Sequence, residues 1–422
     1  MKPERAILVG VVFPRMSRTQ AMDSLDELAL LADTAGAVVI DRFLQDKKSI
    51  DPATFIGRGK VHQLKQEVID QDVQLIIFDE DLTPVQIKNL EKAVNRKIID
   101  RSGLILDIFA RRARTREAQT QVELAQLQYL LPRLTRQWSH LSRQEGGIGT
   151  RGPGETQLEV DRRLIRKRID RLRQALKKIE QQRNVRRKRR WDFVKIALVG
   201  YTNAGKSSLL NSLADADVFV EDRLFATLDA AIRTVTLDTH QKVLMIDTVG
   251  FIRKLPHHLV ASFRSTLEET VDANILLHVV DVSHPRFEDH IGSVHEVLKD
   301  LGIHKKPTIM VFNKIDLISD PHMISDLLCR YAESAFTSAV RGIGLESLKG
   351  KMLEFIHEEE VEGVVKMPAE DTKSIAVVYD LATVLNKEFM DGTVVLQFRG
   401  TQKVKEQIRS VFKAKGNDYI MT

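Results

Sequence analysis

Residues 200–207 read GYTNAGKS, the spacing GxxxxGK[ST], and lie between an apolar run, KIALV, and a helical one, SLLNSLA. A strand, this loop and then a helix is the context a phosphate-binding loop needs. Its glycines let backbone N–H groups approach phosphate oxygens, the following helix adds its positive dipole end, Lys206 reaches the β- and γ-phosphates, and Ser207 ligates Mg2+. Gly200, Tyr201, Thr202, Asn203, Ala204, Gly205, Lys206, Ser207 and Ser208 are therefore expected to bind nucleotide. Further on, KVLMID ends in Asp247, placed to hold Mg2+ through water, and Thr248, Val249 and Gly250 follow, the last free to donate its N–H to the γ-phosphate. Between the two lies LFATLD, in which Phe225, Ala226, Leu228 and Asp229 flank Thr227, the second expected Mg2+ ligand. The base is read from NKID: Asn313 to face N7 and O6, Lys314 and Ile315, then Asp316 to accept from guanine N1–H and the exocyclic amine. Adenine lacks that donor pair, and a site built for it rejects the analogue by roughly 10^4 because buried polar groups are left unpaired. Thr337, Ser338 and Ala339 complete the guanine contacts, so GTP and GDP are the expected ligands.

These residues need a sheet to hold them. Across residues 191–360 the runs VKIALV, VLMID, ILLHVVD and PTIMVF alternate with helical stretches, as in a parallel α/β sheet. Residues 1–105 alternate in the same way, from AILVGVVF through MDSLDELALLADTA, AVVI, a helix over 60–69, VQLIIF and PVQIKNLEKAV to KIID. GRGK at 57–60 opens a helix there and is read as a helix-start turn, since it lacks full phosphate-loop spacing. The tail, 361–422, holds SIAVVYD, TVVLQF and the helical QKVKEQIRSVF, enough for a small α+β domain.

Residues 106–190 differ in kind. Leu124, Leu127, Leu131, Leu134, Trp138 and Leu141, then Leu158, Ile165, Ile169, Leu172, Leu176 and Ile179, step by threes, fours and sevens. One apolar stripe on each of two helices predicts an antiparallel helical hairpin, bent at Pro132, with a glycine-rich tip over 144–157. The segment 101–190 carries 24 Lys and Arg against 9 Asp and Glu, a net +15, so the rest of a chain of net charge +6 carries −9. A basic block of this kind is the footprint of a polyanionic partner, most often nucleic acid. Five glycines within 146–154 exceed what closing a hairpin requires.

The 422 residues imply two to four domains, the single Cys329 leaves no internal disulfide, and no apolar run nears the ~20 residues of a membrane span. A cytoplasmic protein is expected.

The order of the five nucleotide motifs resembles the translation-factor class of small GTPases. Ras-like enzymes place a water-orienting glutamine after the glycine of DTVG; Phe251 stands there in this chain. A low basal rate raised by a partner is implied, with Lys206, Thr227 and Gly250 as the catalytic groups. Asn203 resembles the asparagine that places K+ in some glutamine-lacking GTPases. The whole chain resembles the HflX GTPases, through FIGRGK, RQEGGIGTRGPGETQLEVDRR, GYTNAGKSSLLN, LFATLD, DTVGFIRKLPHHLVASFRSTLEE and NKID. DAAIR at 229–233 departs from the proline and threonines expected after the switch threonine, which leaves the detail of the first switch open. The resemblance implies a monomer that binds the large ribosomal subunit and splits stalled or stress-inactivated 70S ribosomes in its GTP form, leaving after hydrolysis. Its tip would reach rRNA near the peptidyl transferase centre through Gly146, Gly147, Arg151, Gly152 and Gly154, with Arg186, Arg187, Arg189 and Arg190 along phosphates. The alternative is a GTP-dependent regulatory module, such as a large-subunit assembly checkpoint or a membrane-protease regulator, with peripheral membrane association.

Overall fold

The computed structural model describes residues 3–14, 16–134, 157–187, 193–214, 224–227, 231–238, 241–254, 269–318, 320, 322–358, 360–390, 392–413 and 420–421. Three sheets organise it. The first is built from β1 (Glu4–Val12), α1 (Arg18–Thr34), β2 (Ala37–Asp46), α2 (Arg58–Asp70), β3 (Leu75–Phe78), α3 (Pro84–Val94) and β4 (Lys97–Asp100), with strands parallel in the order β2-β1-β3-β4. Local signals set its boundaries: Ser17 with Gln20 and Thr83 with Gln86 form capping boxes at the starts of α1 and α3, and Gly57 of GRGK precedes α2.

Asp100 ends β4 and caps α4 (Arg101–Arg112), which runs on into α5 (Arg116–Leu130). Ala118, Val122 and Ala125 of α5 belong to the same core as Leu8, Leu25 and Phe109, so the first arm of the hairpin is rooted in the N-terminal sheet. A 3-10 turn, Leu131–Arg133, forms around Pro132, where a missing N–H forbids α-helix. The second arm, α6 (Gln157–Arg187), packs back on α5 through Leu124, Ile169 and Leu172, flanked by Leu127, Leu131, Ile165 and Leu176. The predicted heptad stripe is therefore the contact seam. The tip residues Gly146, Gly147, Arg151, Gly152 and Gly154, together with Trp138, Leu141, Arg189 and Arg190, lie outside the described residues. Arg186 and Arg187 close α6.

The second sheet contains β5 (Val194–Gly200), β6 (Ala231–Thr236), β7 (Lys242–Asp247), β8 (Ile275–Asp281), β9 (Thr308–Asn313) and β10 (Ala335–Phe336) in the order β10-β9-β8-β5-β7-β6. All pairs are parallel except β6 with β7. Helices α7 (Lys206–Ala214), α8 (Phe287–Asp300), α9 (His322–Arg330) and α10 (Leu345–Glu358) cover it.

The last unit is an antiparallel sheet, β12-β13-β11-β14, from β11 (Glu360–Pro368), β12 (Thr383–Met390), β13 (Thr393–Thr401) and β14 (Ile420–Met421), with helices α11 (Thr372–Leu381) and α12 (Gln402–Lys413). SIAVVYD, strand-like by composition, is helical here. Asp371 caps the helix, and Ile375, Val378 and Leu381, three apart, place one apolar face on the sheet. Among the described residues no helix is long and apolar enough to cross a membrane.

Candidate nucleotide site

Because the five strands from β10 to β7 run parallel, their carboxyl ends share one edge, and the motif residues gather there. The phosphate loop turns off central β5. A Cβ on Gly200 (φ +154°) would stand 2.2 Å from the Val279 carbonyl oxygen, and one on Gly205 (φ +91°) 2.2 Å from the Asn313 amide nitrogen. Both sites need glycine for conformation and for space.

Lys206, buried at the first turn of α7, donates its Nζ to the carbonyls of Gly200 (3.2 Å) and Tyr201 (2.7 Å). Burial pushes its pKa down to about 8, against the pull of Asp247. Ser207 Oγ donates to Asp247 Oδ2 at 2.5 Å and lies 2.8 Å from Thr227 Oγ1. Asp247 is fully buried; burial raises its pKa, opposed by Lys206 and Ser207, and its Oδ1 has no hydrogen-bond partner among the described residues. Three oxygens from a helix, a loop and a strand end thus converge, one with an orphaned acceptor. Such hard oxygen donors suit Mg2+.

A cavity links these groups, lined by Thr202, Asn203, Gly205, Lys206, Ser207, Ser208, Phe225, Ala226, Thr227, Thr248 and Gly250. The second switch lies directly on the phosphate loop: Thr202 N–H donates to Phe251 O (2.7 Å) and Phe251 N–H to Gly200 O (3.0 Å). A Cβ on Gly250 would come within 2.6 Å of Thr202 Cα, so a side chain is excluded at that position. Thr248 Oγ1 anchors the strand end to Leu198 O at 2.6 Å.

At the base end, Asn313 is fixed by partners within the protein. Its Nδ2 donates to Ala204 O (3.0 Å), and its Oδ1 accepts from Ala339 N–H (3.1 Å) and Thr337 Oγ1 (3.2 Å). The buried amide ties the phosphate loop to the TSA loop, and its Nδ2 carries a second N–H beyond the one given to Ala204. Lys314 adopts a left-handed turn (φ +65°) and pairs with Asp281 at 2.7 Å. Ile315 N–H donates to Thr337 O, Ser338 pairs its backbone with Ile343, and Asp316 lies 3.5 Å from Arg341 Nε.

Phe251 is 2% exposed, packed in a core with Ala197 and Ile246, so its ring is held away from the cavity. Tyr201, Phe225 and Val249, which the sequence assigned to nucleotide, bury their side chains in the core shared with the N-terminal domain, with Phe225 edge-on to Phe109 at 4.7 Å, while Phe225 also lines the cavity. Leu228 and Asp229 lie outside the described residues. Glu27 accepts from the Tyr201 hydroxyl, and Arg101 bonds both Glu27 and Asp79; nothing in the spacing of these three residues marked them in advance.

Family models match three consecutive stretches: a GTP-binding GTPase N-terminal region at residues 22–110, a GTP-binding GTPase middle region at 112–190, and a 50S ribosome-binding GTPase at 195–314. The chain is 46% identical over 410 residues to GTPase HflX of Caldanaerobacter subterraneus subsp. tengcongensis, covering 96% of this chain and 93% of that protein. The chain belongs to the HflX family of GTPases. Within that family it is also 41% identical to the Escherichia coli member, covering 94% of this chain and 93% of that one. To the Flavobacterium psychrophilum member it is 52% identical, covering 74% and 76%. HflX membership supports GTP binding and hydrolysis, and the helical arm at 112–190 is a family feature with its own model. A GDP-bound GTP-binding protein of Sulfolobus solfataricus has 25% sequence identity and a TM-score of 0.44, with 83% of this chain and 98% of that one covered.

Proposed function

We propose that the protein is a GTPase that binds the large ribosomal subunit through its basic arm and splits stalled 70S ribosomes, hydrolysis timing its release. The observation that carries this is the joining of a nucleotide site to a basic two-helix arm through one core, in which Phe225 and Val249 of the switches pack with Val122 and Ala125 of the arm. The 50S ribosome-binding description of the family model at 195–314 supports the choice of partner. So does the charge of the arm, since residues 162–190 hold 15 Lys and Arg and only two acids, Asp170 and Glu180.

At the site, Ser207 and Thr227 would hold Mg2+ directly and Asp247 through water. When bound, that ion neutralises charge on the β- and γ-phosphates. Lys206 exchanges its two carbonyl partners for phosphate oxygens, Gly250 N–H meets the γ-phosphate, and Asp316 reads the guanine edge. Asn203, in left-handed backbone (φ +61°), is the residue for K+. Phe251, which stands where Ras-like enzymes place the water-orienting glutamine, is packed in the core rather than in the cavity lining, and we read turnover as dependent on the partner.

The test is GTP turnover with purified large subunits, small subunits or neither, using the wild type and a variant with residues 146–154 replaced by a short turn. Large subunits alone are expected to raise turnover by orders of magnitude, on the scale for which a Ras activator's roughly 10^5 is the upper reference. The stimulation should fade from low to moderate salt. Turnover indifferent to both subunits would refute the ribosomal reading, and a preference for immature large subunits would favour an assembly checkpoint.

A further inference from the structure

Arg101, at the start of α4, is 1% exposed and divides its guanidinium between two carboxylates, Glu27 of α1 (2.7 Å) and Asp79 just beyond β3 (2.7 Å). Each acid then reaches into the GTPase domain. Glu27 accepts from the Tyr201 hydroxyl of the phosphate loop, and that hydroxyl oxygen accepts the Arg253 N–H at 2.9 Å. Asp79, with Glu80, holds the Lys254 ammonium at 2.5 and 2.6 Å. A chain of polar contacts thus begins at the phosphate loop, passes through the N-terminal domain, and ends four residues after Gly250 in the second switch. Lys254 sits at φ +55°, which costs a non-glycine residue on the order of 1 kcal/mol, so something must hold it there. Its carboxylate partners line a cavity with Phe13 and Phe55 at the carboxyl ends of β1 and β3, where the strand order of the first sheet reverses.

We propose that Tyr201 and Lys254 are positioning residues through which the N-terminal domain grips the phosphate loop and the second switch, so that nucleotide state and domain position are coupled. The proposal rests on the GTPase reading. Only Phe251, Ile252 and Arg253 separate Gly250 from Lys254, and Phe251 is already bridged to Tyr201 through the backbone. A Gly250 that moves toward a γ-phosphate must therefore strain or release the Lys254 contact. By linkage, a ligand of the N-terminal domain changes nucleotide affinity by the factor by which the nucleotide changes that ligand's own affinity.

The experiment measures release of fluorescent GDP and of a non-hydrolysable GTP analogue from the full-length protein, for wild type, K254A, K254R, E80Q and the K254A/E80Q double variant. K254A is expected to change the GDP release rate by roughly ten-fold, the scale of a partly screened charge-assisted contact. The change for the triphosphate analogue should differ from it, which general loosening of the fold would not produce. K254R should restore most of the rate, and E80Q should add little once Lys254 is gone, because contacting partners are not additive. Rates for K254A within about two-fold of wild type, or effects of K254A and E80Q that simply multiply, would overturn the coupling. A wild type that retains neither nucleotide would overturn the GTPase reading itself, and this inference with it.

Discussion

At the residue scale, the informative group is Lys206. Its ammonium is buried on two carbonyls, and its pKa in the folded protein, about 8, lies below its ordinary value of 10.5. Phosphate oxygens favour the charged form, so nucleotide binding must raise that pKa again. Above about pH 8 the free site has partly lost the proton that the bound site keeps, and binding takes one up. GDP affinity should therefore fall as pH rises from about 8 toward 10. Calorimetry at pH 8.5 in two buffers of different ionisation enthalpy checks this, and equal heats in both would contradict it. Asp247 shifts in the opposite direction, upward by burial, opposed first by Lys206.

At the element scale, the hairpin is held chiefly by its seam. The exposed Arg168–Glu123 pair is bidentate, at 2.7 and 2.9 Å, yet at such exposure it contributes less than about 1 kcal/mol. Leu172, 6% exposed against Leu124 and Ile169, contributes more. Leu172→Ala should weaken the pairing of α5 with α6 by about 2–4 kcal/mol. Hydrogen exchange is expected to accelerate along α6 while GDP binding persists, because the seam shares no residue with the nucleotide cavity. Loss of nucleotide binding in this variant would mean that arm and site are one cooperative unit. The stripe itself was legible in the sequence, as was the interruption at Pro132. The antiparallel β6 was not, since AIRTVT carries three polar residues and gains its place only by pairing with β7.

At the scale of the whole molecule, one buried and one half-buried histidine make acid a probe of the packed state. His278, on central β8, is held neutral down to about pH 3, chiefly by burial and then by His295 and Lys206. His290, stacked on Tyr201 at 3.8 Å, is held to about 4 by burial, then by His284 and Arg253. Both folded values lie below the ordinary 6.5, so below that pH the unfolded chain binds protons that the folded one refuses. Stability falls as pH drops from about 6.5 toward 4, by up to about 1.4 kcal/mol per pH unit for each group. Denaturant midpoints for the wild type and His278→Gln across pH 7 to 4.5 test the assignment, since the variant should show a shallower decline. An unchanged slope would place the acid sensitivity elsewhere.

The sequence by itself determined the nucleotide chemistry and most of the two parallel sheets, because those signals are local. A GxxxxGK[ST] turn between strand and helix, a strand ending in aspartate, and an apolar stripe each depend on residues a few positions apart. It left SIAVVYD unassigned, since its β-branched composition fits either state until a cap and a sheet face decide. It left open what holds the side chains of Asn313, Tyr201, Phe225 and Val249, because a motif fixes the backbone course and leaves side-chain partners to the fold. Only the tertiary structure brought Glu27, Asp79 and Arg101 against Tyr201 and Lys254. Those contacts join residues about 175 positions apart in the chain, and no spacing rule reaches that far; they exist because two separately folded sheets bury a common core.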